Sequence, residues 1–554
     1  MFPDMLIRYM DSWHSHRRRK DIRESMMDYW AKPGLDRHQT LLFCPTLDDC
    51  ISDNHPVRHL DEILRARDWS AWEQHYDGRH GQPPIPPWVM AGVILYGLMR
   101  RIRSSRQLEY ACTHNLDFMW LTERRTIDHD TICKFRTKFK EPLKDLFKQI
   151  GQVAMTLGLI QLVEVAFDGT RVKANASRMY TWTAEKVEKV LKELETQIEG
   201  MLSEAEAADA ADTALLGEPQ PREWPSELSE AKKRQEKVRE VLKKLEAADA
   251  ARKQDGIDPK KNPAQLPQAD TDSKVLPNKE GGYAPNYTPL AATDGACGFI
   301  VDCDVITGPT EHQELLSSVD RICEDFGRNP GAVAADAAFG TGANLKGMEQ
   351  REVDFYTPVE SPAPAEGNPA RREDPRKPVA EADWPKLPRN DKKKLDKSCF
   401  VYDETADCYW CPMGKIMRYR ETDKRQRSGE MVALRRYRGD ECSECPLAGE
   451  CLDPKAKRGR IVNRDGYEPW REKMHAKLQT DEGAKIYHRR MHIGETPFAI
   501  IKSILEVRRF LLRGLEKVRT EWRWVCTAFN LKKLIAVLAV LRAQDGKTPA
   551  WVRG

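Results

Sequence analysis

Residues 165–177 read V-A-F-D-G-T-R-V-K-A-N-A-S, and the meaning of their one carboxylate decides the fold. An apolar run ends on Asp168; a glycine and a basic, polar stretch follow. Asp-Gly is a common turn dipeptide, so one reading is a plain turn. The other reading is a strand that carries a metal ligand into a cleft. Asp168 alone does not separate the two.

A second stretch, GAVAADAAFG (331–340), repeats the pattern and ends its apolar run on Asp336. Between the two, YAPNYTPLAATDGACGFIVDCDVIT (283–307) predicts two strands joined by a turn at Asp294-Gly295. A helix over 311–327 follows, and after Asp336 come a helix over 342–350 and the strand VDFYT, 353–357. Strand, hairpin, helix, strand, helix is the outline of a ribonuclease H-like α/β core, which holds ligands outside its strand ends. A third carboxylate, Glu495, lies in the basic, largely helical stretch RRMHIGETPFAIIKSILEVRRFLLRG. Lys502, seven residues on, shares its helical face. Pro497 predicts a helix start or kink beside it. Three carboxylates repel one another unless divalent cations separate them, and hard oxygen donors suit Mg²⁺ or Mn²⁺. Two such ions about 3.5–4 Å apart serve phosphoryl transfer.

The rest of the chain divides by composition. Residues 1–54 form a basic arm that includes HSHRRRK (14–20), whose default reading is a solvated tail. Residues 55–160 are helical, with prolines opening the helix in PPIPPWVMAGVILYGLMRRI and Asp128 or Asp130 as an N-cap. They fit a helix-turn-helix-like DNA-binding module or an ordinary bundle equally well. Segments 161–182 and 253–358 carry the first part of the α/β core. Between them, Val187, Val190, Leu194, Ile198 and Met201 recur at helical spacing, as do Leu228, Ala231, Val238, Leu242 and Leu245. That pattern predicts a coiled-coil hairpin inserted over 183–252. Residues 359–484 are a cysteine-rich insertion, and 485–554 carry Glu495 and basic helices, with 13 Lys and Arg against four Glu over 485–542.

The chain has 554 residues, 32% of them charged, yet its net charge is only +4, so local clustering of charge matters more than the total. No secretory signal is visible, and the apolar run in WVMAGVILYGLM (88–99) is shorter than the ~20 residues a bilayer needs. These features predict a soluble intracellular protein, where 14 cysteines argue for metal or free thiols over disulfides. Cys408-x2-Cys411 and Cys442-x2-Cys445, followed by Cys451, form a zinc pattern with one more thiol than four ligands require. The scattered Cys44, Cys50, Cys112, Cys133, Cys297, Cys303, Cys323 and Cys526 read as buried small residues. His312 in TEHQEL reads as a capping or surface group, and the tryptophans of EWRWV (521–525) as core.

Taken together, these pieces resemble bacterial insertion-sequence transposases of the DDE type, in the branch with an InsH-like N-terminal region and a cysteine-rich insert. HPVRHLDEIL and TIDHDTICKFRTKF resemble the N-terminal region; FDGTRVKANAS, AADAAFGTGANL and GETPFAIIK resemble the three acidic motifs. TDSKVLPNKEGGYAPNYTPLAATD resembles the lead into the hairpin, and RRFLLRGLEKVRTEW the basic helix after the glutamate. The resemblance implies that Asp168, Asp336 and Glu495 hold two Mg²⁺ or Mn²⁺ ions. It further implies that the enzyme cuts transposon ends and joins the freed 3′-hydroxyl to target DNA. DNA contacts are implied for Arg490, Lys502, Arg508, Arg509, Arg513 and Lys517. The cysteine order of that branch selects Cys411, Cys442, Cys445 and Cys451 for a structural zinc, leaving Cys399 and Cys408 as spares. Partners would be double-stranded DNA, at terminal inverted repeats and target, and a second copy in a homodimer that the hairpin helps form. No membrane is involved, and the location would be cytoplasmic, at the nucleoid. The chain departs from the family's Tyr-x2-Arg-x3-Glu-x6-Lys pattern: His488 and Met491 stand at the tyrosine and arginine registers, and Tyr487 and Arg490 are one position off. A one-residue bulge near Gly494 would repair the register. The alternatives are a ribonuclease H-like nuclease that cuts without joining, a non-catalytic transposase-derived DNA-binding protein, and a zinc-dependent regulator.

Overall fold

The apolar run before Asp168 becomes strand β1 (Glu164–Gly169), not a turn, in the computed structural model of the chain. The structure describes residues 46–76, 83–216, 226–254, 258–259, 261–278, 281–308, 311–359, 364, 367–427, 430–453 and 458–545. The basic run 14–20, Cys44 and the segment between the two long inserted helices lie outside them. Two units divide the chain, Met1–Ser52 and Asp53–Gly554. Of the first, the described part is a turn in which Asp49 Oδ2 accepts from the Thr46 amide at 2.8 Å and its hydroxyl at 2.6 Å.

In the second unit β1 is the centre of a mixed sheet. It runs antiparallel to β6 (Tyr283–Asp294), with Asp168 opposite Ala291, and parallel to β8 (Ala332–Ala335), with Phe167 opposite Ala335. Outward from these lie β7 (Ile300–Ile306), antiparallel to β6, and β9 (Asp354–Tyr356), parallel to β8. The order β7-β6-β1-β8-β9 completes the strand, hairpin and crossover outline. The short β2 (Val172–Lys173) and β5 (Lys274–Pro277) pair with the first half of β6, and β3 (Thr181–Trp182) with β4 (Leu266–Pro267). A central strand is covered on both faces, so Val165, Ala166 and Phe167 are all buried with no alternation. The turn at Asp294-Gly295 forms as expected. Its aspartate also ties the hairpin to the entry of β1, because Oδ2 accepts from the amides of Leu162 at 2.7 Å and Gln161 at 3.2 Å.

The N-terminal helices form a bundle: α1 (Pro56–Arg65), α2 (Ser70–Glu73), α3 (Pro87–Met99), α4 (Ser105–His114), α5 (Leu116–Leu121), α6 (His129–Lys138) and α7 (Lys140–Thr156). Proline opens α1 and α3, and Asp128 caps α6 by accepting from the Thr131 amide at 2.9 Å. Two long helices follow β3, α8 (Ala184–Leu216) and α9 (Ser226–Gln254). They lie antiparallel, since Val187 clusters with Leu245 while Ile198 clusters with Leu228 and Ala231. The expected helix over 311–327 is a 3₁₀ turn (Glu311–Glu314) followed by α10 (Leu315–Phe326), and α11 (Gly342–Gln350) follows β8.

The cysteine-rich segment builds a second sheet of β10 (Val401–Asp403), β11 (Cys408–Trp410), β12 (Ile416–Arg427), β13 (Glu430–Gly439) and β14 (Ile461–Arg464), in that order. A one-turn helix, α12 (Ala448–Cys451), lies between β13 and β14. Three helices close the chain, α13 (Glu468–Leu478), α14 (Asp481–Ser503) and α15 (Leu515–Asp545).

Helix α15 is a core helix, as the reading of the EWRWV tryptophans expects: Trp522 and Trp524 are fully buried, the first donating to Leu290 O of β6 at 3.0 Å and the second to Arg136 O of α6 at 3.1 Å. Truncating a tryptophan at such a site costs about 3–5 kcal/mol. By length and composition Leu515–Leu541 would also cross a membrane, unlike the shorter apolar run over 88–99; 61% of its most apolar window is buried inside the protein. Its N-terminus is capped by the stretch before β5: the Leu515 amide donates to Asp272 Oδ2 at 2.9 Å and the Gly514 amide to Asp270 Oδ1 at 3.1 Å. Buried Glu521 then joins α15 to both neighbours, accepting from the Leu511 and Leu512 amides and pairing with Arg103 at 2.9 Å.

Candidate active site

Asp168 occupies the fifth of the six positions of β1 and is 7% exposed. Its Oδ1 accepts from the Gly169 amide at 2.9 Å. Asp336 follows β8 directly. Because β1 and β8 are parallel and Phe167 faces Ala335, the two aspartates stand one residue past the same rung of adjacent strands. Asp336 also caps the 3₁₀ turn Ala337–Phe339, accepting from the Ala338 amide at 2.9 Å, and its carbonyl accepts from the Thr357 hydroxyl at 2.7 Å. Phe167 and Phe339 meet edge to face at 5.1 Å beneath the pair.

Glu495 arrives on α14, which packs over β1, β6, β8 and β9. The closest approach is at Gly494: a Cβ there would lie 3.3 Å from Asp168 Cβ and 3.5 Å from Ala166 Cβ. A side chain at 494 would crowd the strand, so the glycine lets α14 approach β1 at Asp168; Glu495, the next residue on the helix, is exposed. The helix continues through Pro497, so it does not start there, and no bulge forms at Gly494. Tyr487 and Arg490 therefore stay one position off the resembled spacing, about 100° around the helix. Arg490 is half-buried and lies over the Tyr487 ring at 5.5 Å; its exposed neighbour Arg489 pairs with Glu164 at 2.6 Å.

Lys502, on the same helix, donates to the Thr170 hydroxyl at 2.6 Å, two residues past Asp168. Arg508, Arg509 and Arg513 are exposed but not helical. They lie on the link between α14 and α15, which runs beside β2: the Phe510 amide donates to Lys173 O at 2.9 Å and Arg513 Nε to Asn175 O at 3.0 Å. Of the proposed basic-helix contacts only exposed Lys517 sits on α15.

A fourth carboxylate escaped the sequence reading. Glu311 opens the 3₁₀ turn before α10. A Cβ at Gly169 would fall on its carboxylate, so the glycine after Asp168 exists to seat Glu311 and not to make a turn. Arg171 pairs with Glu311 at 3.4 Å and also bonds the Thr288 hydroxyl. Burial pushes the Glu311 carboxyl above its ordinary range; Arg171 opposes this, and the charges of Asp168 and Asp336 add to it. Buried Asn344 donates to His312 O at 2.9 Å and Phe339 O at 3.0 Å, pinning the Glu311 turn to the Asp336 turn. His312 itself is half-buried, and burial holds its imidazole below the usual range. A glycine inside a strand marks a close backbone approach, and that was the available signal.

In the second sheet Cys411, Cys442, Cys445 and Cys451 line one cavity of about 30 Å³. Cys408 and Cys399 do not line it. The Lys415 amide donates to Cys411 Sγ at 3.4 Å, and Gly414, at φ 68°, makes the tight turn that allows it. Burial raises the thiols of Cys411 and Cys451, the latter to about 12. Of the scattered cysteines, Cys112, Cys303 and Cys526 are buried as expected, whereas Cys50, Cys133 and Cys297 are exposed and Cys323 is intermediate. Among the described residues, no group of three or more His, Cys, Asp or Glu side chains is arranged to hold a metal ion as it stands.

Two families match the chain: residues 410–535 match the family described as Transposase DDE domain, and residues 45–138 match Transposase domain (DUF772). No curated protein matches it. The first match covers Glu495 and strands β12, β13 and β14 of the second sheet; a DDE transposase domain implies a ribonuclease H-like core, and the mixed sheet before it has that outline. These two matches support a transposase of the DDE type, of the bacterial insertion-sequence kind.

Gly169→Ala is expected to destabilise the protein by about 1–3 kcal/mol, the usual cost of overpacking. The cost should shrink when Glu311→Ala is added, because the two groups contend for one space. A double-mutant cycle of urea midpoints checks this; strictly additive effects would remove Glu311 from the site.

Proposed function

We propose that this transposase cuts the ends of its element and joins the freed 3′-hydroxyl to target DNA, using Asp168, Asp336 and Glu495. The observation that carries the reading is the adjacency of Asp168 and Asp336 at parallel strand ends, with α14 laid against Asp168 through Gly494. The donor set is one of hard carboxylate oxygens, which fits Mg²⁺ or Mn²⁺. A pair of such ions would supply activation of the attacking oxygen and stabilisation of the leaving one. The chain's own residues do the rest. Asp336 is held by its cap to Ala338 and by Thr357, and Asp168 by the rigid strand on which it sits. Lys502, bonded to Thr170, keeps a positive charge beside the carboxylates, where a phosphate would lie. Exposed Arg508, Arg509, Arg513 and Lys517 extend that charge along the α14–α15 link and the first turn of α15, and Arg490 adds to it from α14.

The helical bundle would read terminal inverted repeats, and α8 and α9 would act as a coiled-coil hairpin in a homodimer that holds two ends together. The four cysteines of the second sheet would bind a structural zinc: they share one cavity, and the amide donor on Cys411 suits a thiolate.

Incubating the protein and Mn²⁺ with a duplex of the gene's own flanking DNA ending in a free 3′-hydroxyl, plus a plasmid target, should give joined products that Asp336→Asn abolishes. Cuts without joining would make the protein a nuclease of the same fold, and binding without cutting a non-catalytic derivative. Elemental analysis should find a single zinc per chain, lost in the Cys442→Ser/Cys445→Ser double variant; a zinc-free wild type would overturn the zinc assignment.

A further inference from the structure

Strands β12 and β13 outrun their sheet. Strand β11 pairs with β12 only at Ile416–Arg418, and β14 pairs with β13 only at Arg435–Arg438. β12 has no strand on its outer edge from Glu421 onward, and beyond Arg435 β13 has none either, so the rungs from Asp423 opposite Leu434 to Arg427 opposite Glu430 form a two-stranded ribbon with no third strand on either edge among the described residues. A lone two-stranded hairpin is marginal in water. Its flanks here are polar and exposed at Glu421, Thr422, Lys424 and Arg425, and Met431 is 66% exposed.

The charges on this ribbon are uneven. Over 416–439 there are eight Lys and Arg against three Asp and Glu, in a chain whose total is only +4. Most of the arginines have a carboxylate: Arg420 pairs with Asp440, Arg425 with Asp423, Arg435 with Asp407, and Arg436 with Glu421 and Asp423. Arg418, Lys424 and Arg438 make no ion pair among the described residues. Arg418 and Arg438 also stand directly opposite each other across the ladder, and Arg438 Nε is buried without a hydrogen-bond acceptor among the described residues. Like charges on facing residues destabilise a sheet. Two facing guanidiniums at the root of a projecting ribbon conflict with local stability unless an anion lies between or beside them.

We infer that the β12–β13 ribbon is a second DNA-contacting surface, which enters the major groove of duplex DNA while Arg418, Lys424 and Arg438 meet backbone phosphates. The inference rests on the transposase reading above and adds a surface to it. The major groove of B-form DNA, about 12 Å wide, admits a two-stranded ribbon. The deep, narrow major groove of an RNA duplex does not, and that favours DNA over RNA as the partner. The strands of the ribbon lie about 4.8 Å apart, which leaves room for side chains to reach both groove walls.

The test is fluorescence anisotropy of a labelled DNA duplex without divalent ions, across a salt series. In the variant R418Q/K424Q/R438Q the slope of log affinity against log salt should fall by about three, one for each lost phosphate contact. Lys424 is exposed, so Lys424→Gln alone leaves the fold intact and should lower the slope by about one. The charge-matched control K232Q/K237Q/K243Q on the exposed face of α9 should keep the wild-type slope. An unchanged slope in the ribbon variants, an equal fall in the control, or a loss confined to an RNA duplex would overturn the inference while leaving the transposase reading standing. A wild type with no salt-dependent affinity for DNA would instead overturn that reading, and the ribbon with it.

Discussion

The candidate site depends on one close packing contact, the seat of α14 on β1 at Gly494. A helix normally rides on a sheet through side chains, which would hold Glu495 away from the strand ends. Here the helix presents no side chain at its closest point, and Asp168 Cβ lies where ordinary packing would place one. The position of the helix on the sheet is fixed by packing against β1, β6 and β8, with Phe498 and Ile501 buried. A glycine at 169 plays the matching part on the strand, seating Glu311. The two aspartates and the turn of Glu311 are thus gathered by small residues as much as by charged ones.

Much of the core was legible in the sequence because a buried strand leaves a simple trace. The continuous apolar runs before Asp168 and Asp336, the Asp294-Gly295 turn and the 342–350 helix all form where periodicity and turn chemistry put them. The long inserted helices were legible for the same reason, from residues now found in shared clusters. What the sequence hid was tertiary. Glu311 drew no reading, since nothing local says that its carboxylate lies beside Gly169. The stretch RRFLLRG looked like part of a basic helix, yet it is the non-helical link between α14 and α15. Pro497 was read as a break by the loss of one backbone donor, a cost that tertiary packing overrides.

The second sheet shows the same division. Cysteine spacing marked five thiols and the family resemblance chose four of them; those four share a cavity, and the structure sets Cys408 apart on β11, where it faces Arg418. The ribbon that grows from this sheet carried no spacing signal at all. Only the pairing register reveals that Arg418 and Arg438 face each other without a carboxylate. Local conflict of this kind in an otherwise consistent fold is where function is to be sought.

The central claim is that Asp168, Asp336 and Glu495 act as one divalent-cation site. Calorimetric titration of Mn²⁺ into the DNA-free protein tests it most directly, comparing wild type with Asp168→Asn, Asp336→Asn and Glu495→Gln. The account predicts saturable binding in wild type, loss of binding in both aspartate variants and weaker binding in Glu495→Gln. Aspartate variants that bind Mn²⁺ as wild type does, or a wild type that binds none, would contradict it.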